Sequence, residues 1–331
     1  MPEISRILST LAHAPDEPAA LATLVRVEGS SYRRPGARLL VLGNGLRVGS
    51  ISGGCLEEDV IMRAQRVLLS GRPETAVYDT TTENDLVWGV GLGCQGIVQI
   101  FIEPLPPIRP PWIKTLEENL RARRETALSV SYGGRSSLGT ILTGEIPVAE
   151  KSTEIFWETI SAPPSLVIFG AGEDACPLVH LAKEVGWHVT VVDSRPAYAT
   201  TARFPEADAV INAPATDAAS HLAPDNSSFA VVMTHRYLED RQLARVLLPQ
   251  PLPYLGVLGP RKRTDRLLAQ LHTEGFSPDE AMLARLHAPI GLDLGGNTPE
   301  TVALAIMAEM QCRRAGREPI HLRDRTASIH G

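Results

Sequence analysis

The sequence predicts an α/β protein in two parts. Residues 1–160 read as an N-terminal α/β domain with a mixed sheet, and residues 161–331 as a doubly wound parallel sheet. Three observations predict this. Strands and helices alternate without interruption from Ser165 onward, the pattern of parallel βαβ units. β-rich segments broken by glycine clusters fill Leu21 to Glu103. Proline-dense stretches, "EPLPPIRPPW" near 104–111 and "SAPPS" at Ser161 to Ser165, mark breaks in regular structure. A chain of 331 residues also exceeds one typical core.

In the first part, "LATLVRVEGS", "ARLLVLGNGLRVGS", "TAVYDT" and "GIVQIFIEP" read as strands, with "GNG" at Gly43 to Gly45 a hairpin turn. "LEEDVIMRAQRVLLSG" has Val60, Ala64, Val67 and Leu68 on one helical face and Gly71 as its stop. "WIKTLEENLRARRETALSVSYGG" reads as helix then strand and "RSSLGTILTGE" as a further strand, both expected to return to the first sheet. In the second part the strands are "LVIFG", "HVTVVDSR", "AVINA", "SFAVVMTH" and "YLGVLG", with helices around "AKEVG", "RQLARVLL" and "RTDRLLAQL". Thr298 as N-cap and Pro299 at N1 open a last helix to about Ala315.

Composition excludes several classes. A net charge of −6 makes the overall field mildly repulsive to nucleic acid, and no nucleic-acid partner is expected. The start has no basic-then-apolar signal, and no apolar run reaches membrane length, so a cytoplasmic protein without a membrane partner is expected. The four cysteines, Cys55, Cys94, Cys176 and Cys312, form neither a disulfide framework nor a zinc-ribbon spacing.

Chemistry concentrates in glycine-rich loops. Gly170-Ala171-Gly172-Glu173-Asp174-Ala175 follows a strand and opens a helix. Asp193 stands at the next strand tip, about twenty residues on, as a Rossmann dinucleotide unit requires for a ribose diol. Glu173 and Asp174 would repel a pyrophosphate if they point into the loop, so a fold with an altered or lost dinucleotide site is the other reading. Thr234, His235 and Arg236, with Asp240 just after, lie at one strand tip, and Arg261, Lys262 and Arg263 open a helix after Gly259-Pro260. Together they favour an anion site, against the plainer reading of a solvated basic turn and a structural histidine. His287 and Asp293 lie in a third loop of this kind.

In the first part, Ser30, Ser31, Arg33, Arg34 and Arg38 surround Gly29 and Gly36, a pattern suited to phosphate or pterin-like oxyanions. Cys55 follows Gly53-Gly54 at a helix start, where the helix dipole would lower its thiol pKa, with Glu57 and Glu58 in the first turn. Cys94 sits in a second glycine-rich turn, "GVGLGCQGIVQI". Metal ligand, nucleophile, sulfur carrier and buried filler all remain open for these cysteines.

The motifs "GSSYRRPGARLLV", "VGSISGGCLEEDV" and "GLGCQG", then "VIFGAGEDA", "VTVVDSR", "MTHRYLED", "YLGVLGPRKR" and "HAPIGLDLGGNTPETVALAIMAEM", resemble the xanthine dehydrogenase accessory protein family, XdhC/CoxI, over nearly the whole chain. The resemblance implies a C-terminal Rossmann-like domain. It also implies a maturation factor, without turnover of its own, that binds molybdenum cofactor (molybdopterin), protects its sulfurated form and delivers it to an apo molybdenum hydroxylase. A cysteine desulfurase is then a second partner, and a homodimer is expected. Carried over by position, Arg33, Gly53, Gly54, Cys55, Glu57 and Cys94 fall in the N-terminal motifs, with Cys55 and Cys94 as metal contacts. Gly170, Gly172, Asp193, Arg195, His235, Asp240, Gly259, Arg261 and Asp293 fall in the C-terminal ones. Arg33 and Arg261 are the expected anion clamps. The chain departs from the family's pattern at Tyr32 (commonly proline), Gln95 (glycine) and Glu173 (histidine). The alternatives are an NAD(P)-dependent oxidoreductase using the Gly170–Gly172 loop, with His235 moving protons, and a scaffold that bridges two partners.

Overall fold

The computed structural model describes residues 2–54, 56–79, 96–133, 138–143, 154–223 and 227–326. Cys55, Cys94 and the Gln95 turn lie outside the described residues. The chain divides into two compact units, Met1–Ala162 and Pro163–Gly331.

The first unit begins with α1 (Pro2–His13), whose Ile4, Ile7, Leu8 and Leu11 recur at helical spacing and are all buried. Then come β1 (Ala19–Gly29), β2 (Arg38–Leu42), β3 (Arg47–Gly49), α2 (Glu57–Ser70), β4 (Glu74–Asp79) and β5 (Gly96–Leu105). The strands form one sheet in the order β3-β2-β1-β5-β4. Where a mixed sheet is expected from sequence, every described pair is antiparallel. The crossover that parallel neighbours require does not join adjacent strands: α2 carries the chain from β3 at one edge to β4 at the other. The hairpin at Gly43 to Gly45 is present, closed by Gly45 N–H donating to the Leu42 carbonyl at 2.9 Å. Helix α2 buries Val60, Ile61, Ala64 and Val67 against this sheet and ends at Gly71. Each such valine or isoleucine contributes about 1.5–3 kcal/mol of burial.

Two expectations for this unit need correction. The proline-dense stretch is partly regular, because β5 runs through Glu103, Pro104 and Leu105, with Pro104 opposite Ala20. Pairing with β4 stops at Ile102, so beyond it the missing Pro104 N–H faces a free edge and costs no ladder bond. The prolines at 110 and 111 cap and open α3 (Pro111–Arg121). After α3, β6 (Thr126–Ser131) and β7 (Gly139–Leu142) do not join the first sheet. They pair with β8 (Ile155–Ile160) as a separate antiparallel sheet in the order β7-β6-β8. It packs on the face opposite α2, where Val25 and Phe101 meet Val130 and Tyr132, and Leu128 and Ile160 share a core with α1 and α3. These strands return by face-to-face burial rather than by edge pairing.

The second unit is the expected doubly wound sheet. β9 (Ser165–Phe169), α4 (Ala175–Glu184), β10 (His188–Asp193), β11 (Ala209–Asn212), β12 (Ser228–Val232), α5 (Tyr237–Leu247), β13 (Tyr254–Val257), α6 (Arg261–Thr273), α7 (Glu280–Leu283), β14 (Leu286–His287) and α8 (Pro299–Ala315) follow in order. The parallel strands lie as β11-β10-β9-β12-β13-β14, which reverses direction between β9 and β12. Both faces of the inner strands β9, β10, β12 and β13 are buried. Leu166 and Ile168 pack toward α4 and α8, and Val167 and Phe169 toward α5 and α6. α8 begins as its cap signals require, with a capping box between Thr298 and Thr301. Among the described residues no helix is long and apolar enough to cross a membrane.

The turn after β9 depends on Gly170. Its φ is +120°, and an added Cβ would stand 2.5 Å from the Met233 carbonyl oxygen and 2.8 Å from the Thr234 nitrogen. Backbone meets backbone there, so no side-chain movement relieves the contact. Gly170→Ala is therefore expected to cost more than about 2 kcal/mol of stability in urea unfolding.

Candidate functional site

In the first unit the loop from Ser50 to Leu56 is organised by one carboxylate. Glu57, at the start of α2, accepts from Ser52 N–H at 2.8 Å, Ser50 Oγ–H at 2.9 Å, Gly54 N–H at 3.0 Å and the Ser52 hydroxyl. Ser52 Oγ in turn accepts from Leu56 N–H at 3.1 Å. Burial works to raise the Glu57 pKa, but the hydrogen bonds from Ser52 and Ser50 outweigh it and hold the carboxyl below its ordinary value. Gly53 and Gly54 are exposed. Gly54 has φ +112°, and among the described residues nothing lies within 4 Å of where a Cβ would stand.

The arginine-rich loop adjoins this one. The Tyr32 ring lies over Gly53, whose added Cβ would stand 3.6 Å from three ring atoms, and Tyr32 is 66% exposed. The arginines divide. Arg33 pairs with Glu3 at 2.6 Å. Arg34 is exposed with no ion pair among the described residues. Arg38, expected as an exposed anion contact, is a correction: it is 4% exposed and its guanidinium is bound to Glu158. Burial lowers the Arg38 pKa to about 10, with Glu103 and Glu3 acting in the opposite sense. A buried guanidinium offsets its desolvation only with a partner, so its sequence neighbours do not predict its role. Gly96, where the chain re-enters the described residues, pairs with Gly29 at the root of the same loop.

In the second unit a cavity of about 420 Å³ opens at the carboxyl ends of β9, β12 and β13. Asp174 and His235 line it, as do Leu258, Arg263 and Asn297. His235 holds a left-handed backbone, φ +59°, and its Nε2 lies 2.6 Å from the Asp174 carboxylate. Such a conformation is uncommon for a residue with a side chain, and it occurs here beside a cavity. Asp174 thus serves His235, and Glu173 pairs with Arg203 at 2.6 Å.

Other expected contacts are used inside the fold. Asp193 is buried and accepts from Ala171 N–H at 2.7 Å and from Arg195, through its backbone N–H at 2.8 Å, Nε at 2.9 Å and Nη2 at 2.7 Å. Burial would raise the Asp193 pKa, and these bonds reverse the shift and lower it. Asp240, 1% exposed, accepts from Thr234 Oγ1–H at 2.5 Å and from the Arg263 guanidinium. His287 lies 3.1 Å from Glu309, which also accepts from Gly291 N–H at 2.9 Å and Tyr254 O–H at 2.5 Å. Gly172 borders Asp174. Arg261, first in α6, and Asp293, in the loop before α8, are exposed with no ion pair among the described residues. Sequence reasoning missed the partners Glu3, Ser52, Glu158 and Arg203. Only Ser52 had a signal, an acid in the first helical turn after a serine-glycine loop.

A family model described as XdhC and CoxI family matches residues 12–79, and one described as XdhC Rossmann domain matches residues 166–310. A Bacillus subtilis relative, whose name describes it as one subunit of a probable xanthine dehydrogenase, is 34% identical over 317 residues, 89% of this chain and 92% of the relative. The chain belongs to the XdhC and CoxI family. An Escherichia coli family relative named molybdenum cofactor insertion chaperone PaoD is 26% identical, with 91% of this chain and 85% of the relative covered. A crystal structure described as a xanthine dehydrogenase from Bacillus halodurans superposes with a TM-score of 0.78 at 32% identity, covering 96% of this chain and 97% of that one.

The Glu57 brace has a signed pH dependence. Its folded pKa is depressed, so its stabilisation is present above the unfolded value of about 4.3 and is lost as pH falls through the folded value. Wild type should resist urea better than Glu57→Gln at pH 7, and the gap should close as the solution is acidified below about pH 4.

Proposed function

We propose that this protein binds molybdenum cofactor and acts in the maturation of a molybdenum hydroxylase, without turnover of its own. The observation that carries the reading is the loop held by Glu57. It fixes Gly54 and Leu56, the residues on either side of Cys55, and it touches the arginine-rich loop through Tyr32 and Gly53. Gly29, at the base of that loop, pairs with Gly96, which is two links along the chain from Cys94.

The donor chemistry fits the group. Among the described residues no three His, Cys, Asp or Glu side chains gather to hold a metal. The metal contacts of this reading are Cys55 and Cys94, whose thiolates would be soft donors. The cofactor would bring a molybdenum with sulfur ligands, a pterin ring and a phosphate. The exposed Gly54, the exposed Tyr32 ring and Arg34, which has no ion pair among the described residues, are suited to receive these parts. The relative named as a molybdenum cofactor insertion chaperone supports the same role. We extend the proposal to protection of the sulfurated cofactor, to an apo molybdenum hydroxylase and a cysteine desulfurase as partners, and to a cytoplasmic homodimer as the working form.

The dehydrogenase reading has less physical support. The carboxylate that would hold a ribose diol, Asp193, already accepts four hydrogen bonds from Ala171 and Arg195.

Co-expression with active cofactor synthesis, anaerobic purification, and molybdenum and pterin analysis tests the proposal. Wild type should carry both, Cys55→Ser should lose most of each, and Cys94→Ser should lose part. A wild type without cofactor, or a Cys55→Ser protein that retains as much as wild type, would overturn it.

A further inference from the structure

We infer that the second unit holds a site for one nucleoside monophosphate group, in the cavity beyond β9, β12 and β13, and that Arg195 closes the same fold to dinucleotides. The inference concerns the second unit alone and does not rest on the cofactor reading of the cysteine loop.

The fold provides the place. In an open parallel sheet, ligands bind outside the carboxyl ends of the strands where their order reverses, and here that point lies between β9 and β12. The cavity of about 420 Å³ opens there. Ligand pockets span roughly 300–1,000 Å³, and this one lies in the lower part of that range.

The other half is filled by the chain itself. A dinucleotide would need Asp193 for its first ribose, yet all four acceptor positions of that carboxylate are taken, three of them by Arg195. The Arg195 guanidinium also lies 3.8 Å from the centroid of the Tyr198 ring, which clamps it from a second side. The Glu173–Arg203 pair engages the same turn, with Arg203 Nη2 3.5 Å from the Ala171 carbonyl. A ribose diol would have to displace a charged hydrogen-bonded pair to enter.

The chemistry of the cavity fits a base with a phosphate. Leu258, Pro299 and Val302 offer an apolar wall for a flat ring, and Asn297 and His235 offer polar contacts. Asp174 accepts at Nε2 of His235, which leaves Nδ1 for a ligand. Asp174 is hydrogen-bonded to His235, and the buried Asp240 is paired with Arg263. Arg261 and Lys262, exposed just beyond Pro260, place two positive charges at the start of α6, next to the lining residue Pro260.

Full-length protein purified free of molybdenum should be titrated calorimetrically with 5′-AMP, CMP and GMP, the matching diphosphates, NAD⁺ and inorganic phosphate. At least one monophosphate should saturate one site, with NAD⁺ weaker by about tenfold or more. His235→Asn, which tolerates the left-handed backbone, should weaken the monophosphate by about tenfold. Arg195→Ala should leave that binding intact and strengthen NAD⁺. Diphosphates that bind as well as monophosphates indicate a nucleotide that enters as the end of a larger ligand, and monophosphate preference indicates a free one; both support the site. Tighter binding of NAD⁺ than of any monophosphate in wild type, inorganic phosphate matching the nucleotides, or no saturation by any of them overturns it.

Discussion

The loops of this protein cannot hold their own shape, and single carboxylates do it for them. Glycine-rich segments lose the most backbone entropy on ordering and bring no side chains to pack. Each motif loop is instead drawn around one acid with several donors. Glu57 gathers the Ser50–Leu56 loop, Asp193 ties the Gly170 turn to Arg195, and Glu309 holds Gly291 and His287. Asp240 anchors Thr234 and Arg263, and Glu3 takes the Arg38 backbone N–H and the Arg33 side chain. A carboxylate has about four acceptor positions, so one buried acid can satisfy several loop donors that no neighbouring strand reaches. Charge-assisted bonds of this kind are roughly twice as strong as neutral ones. That margin lets a turn without side chains be kept in one conformation.

This constraint sorts the polar residues of the motifs. Those that look most like ligand contacts in sequence, Glu57, Asp193, Asp240 and His287, are occupied in holding loops. What the braces leave accessible among the described residues includes Gly53, Gly54, Tyr32 and Arg34 in the first unit, and His235, Arg261, Lys262 and Asp293 in the second. A brace and a contact have opposite requirements. A brace must be desolvated and saturated, whereas a contact must keep a donor or acceptor open. Spacing alone does not tell them apart, because both sit at loop ends beside glycine.

Much of the architecture is legible in sequence, for physical reasons specific to each element. The inner strands of the second unit, β9, β10, β12 and β13, are buried on both faces, so they appear as short apolar runs. α8 announces itself through Thr298 and Pro299. α1 was equally readable from Ile4, Ile7, Leu8 and Leu11, once the chain start is read for periodicity as well as for targeting signals. The three-stranded sheet was not readable as separate, since whether β6 joins an edge or packs on a face depends on contacts with Val25 and Phe101 far away in sequence. β8 is half-buried over most of its length and gives only a weak alternation. The site was legible as a set of loops but not as a set of roles. Arg38 and Arg33 differ in fate because one meets Glu158 in a buried position and the other meets Glu3 nearer the surface.

The two units use the same device to different ends. In the first, the acid folds back on its own helix start, so the loop is fixed while its outer face, at Gly53 and Gly54, remains open. In the second, the acid that a dinucleotide fold would offer to its ligand is turned inward by Arg195, and the strand order survives without that contact. A parallel sheet is stabilised by the burial of both its faces, which the tip of β10 does not affect. A ligand contact at a strand tip can therefore be withdrawn while the fold is kept, and the binding surface moves to whichever loops retain open groups. In this unit the groups left open lie in the loops around His235 and Arg261, on the other side of the reversal from Asp193.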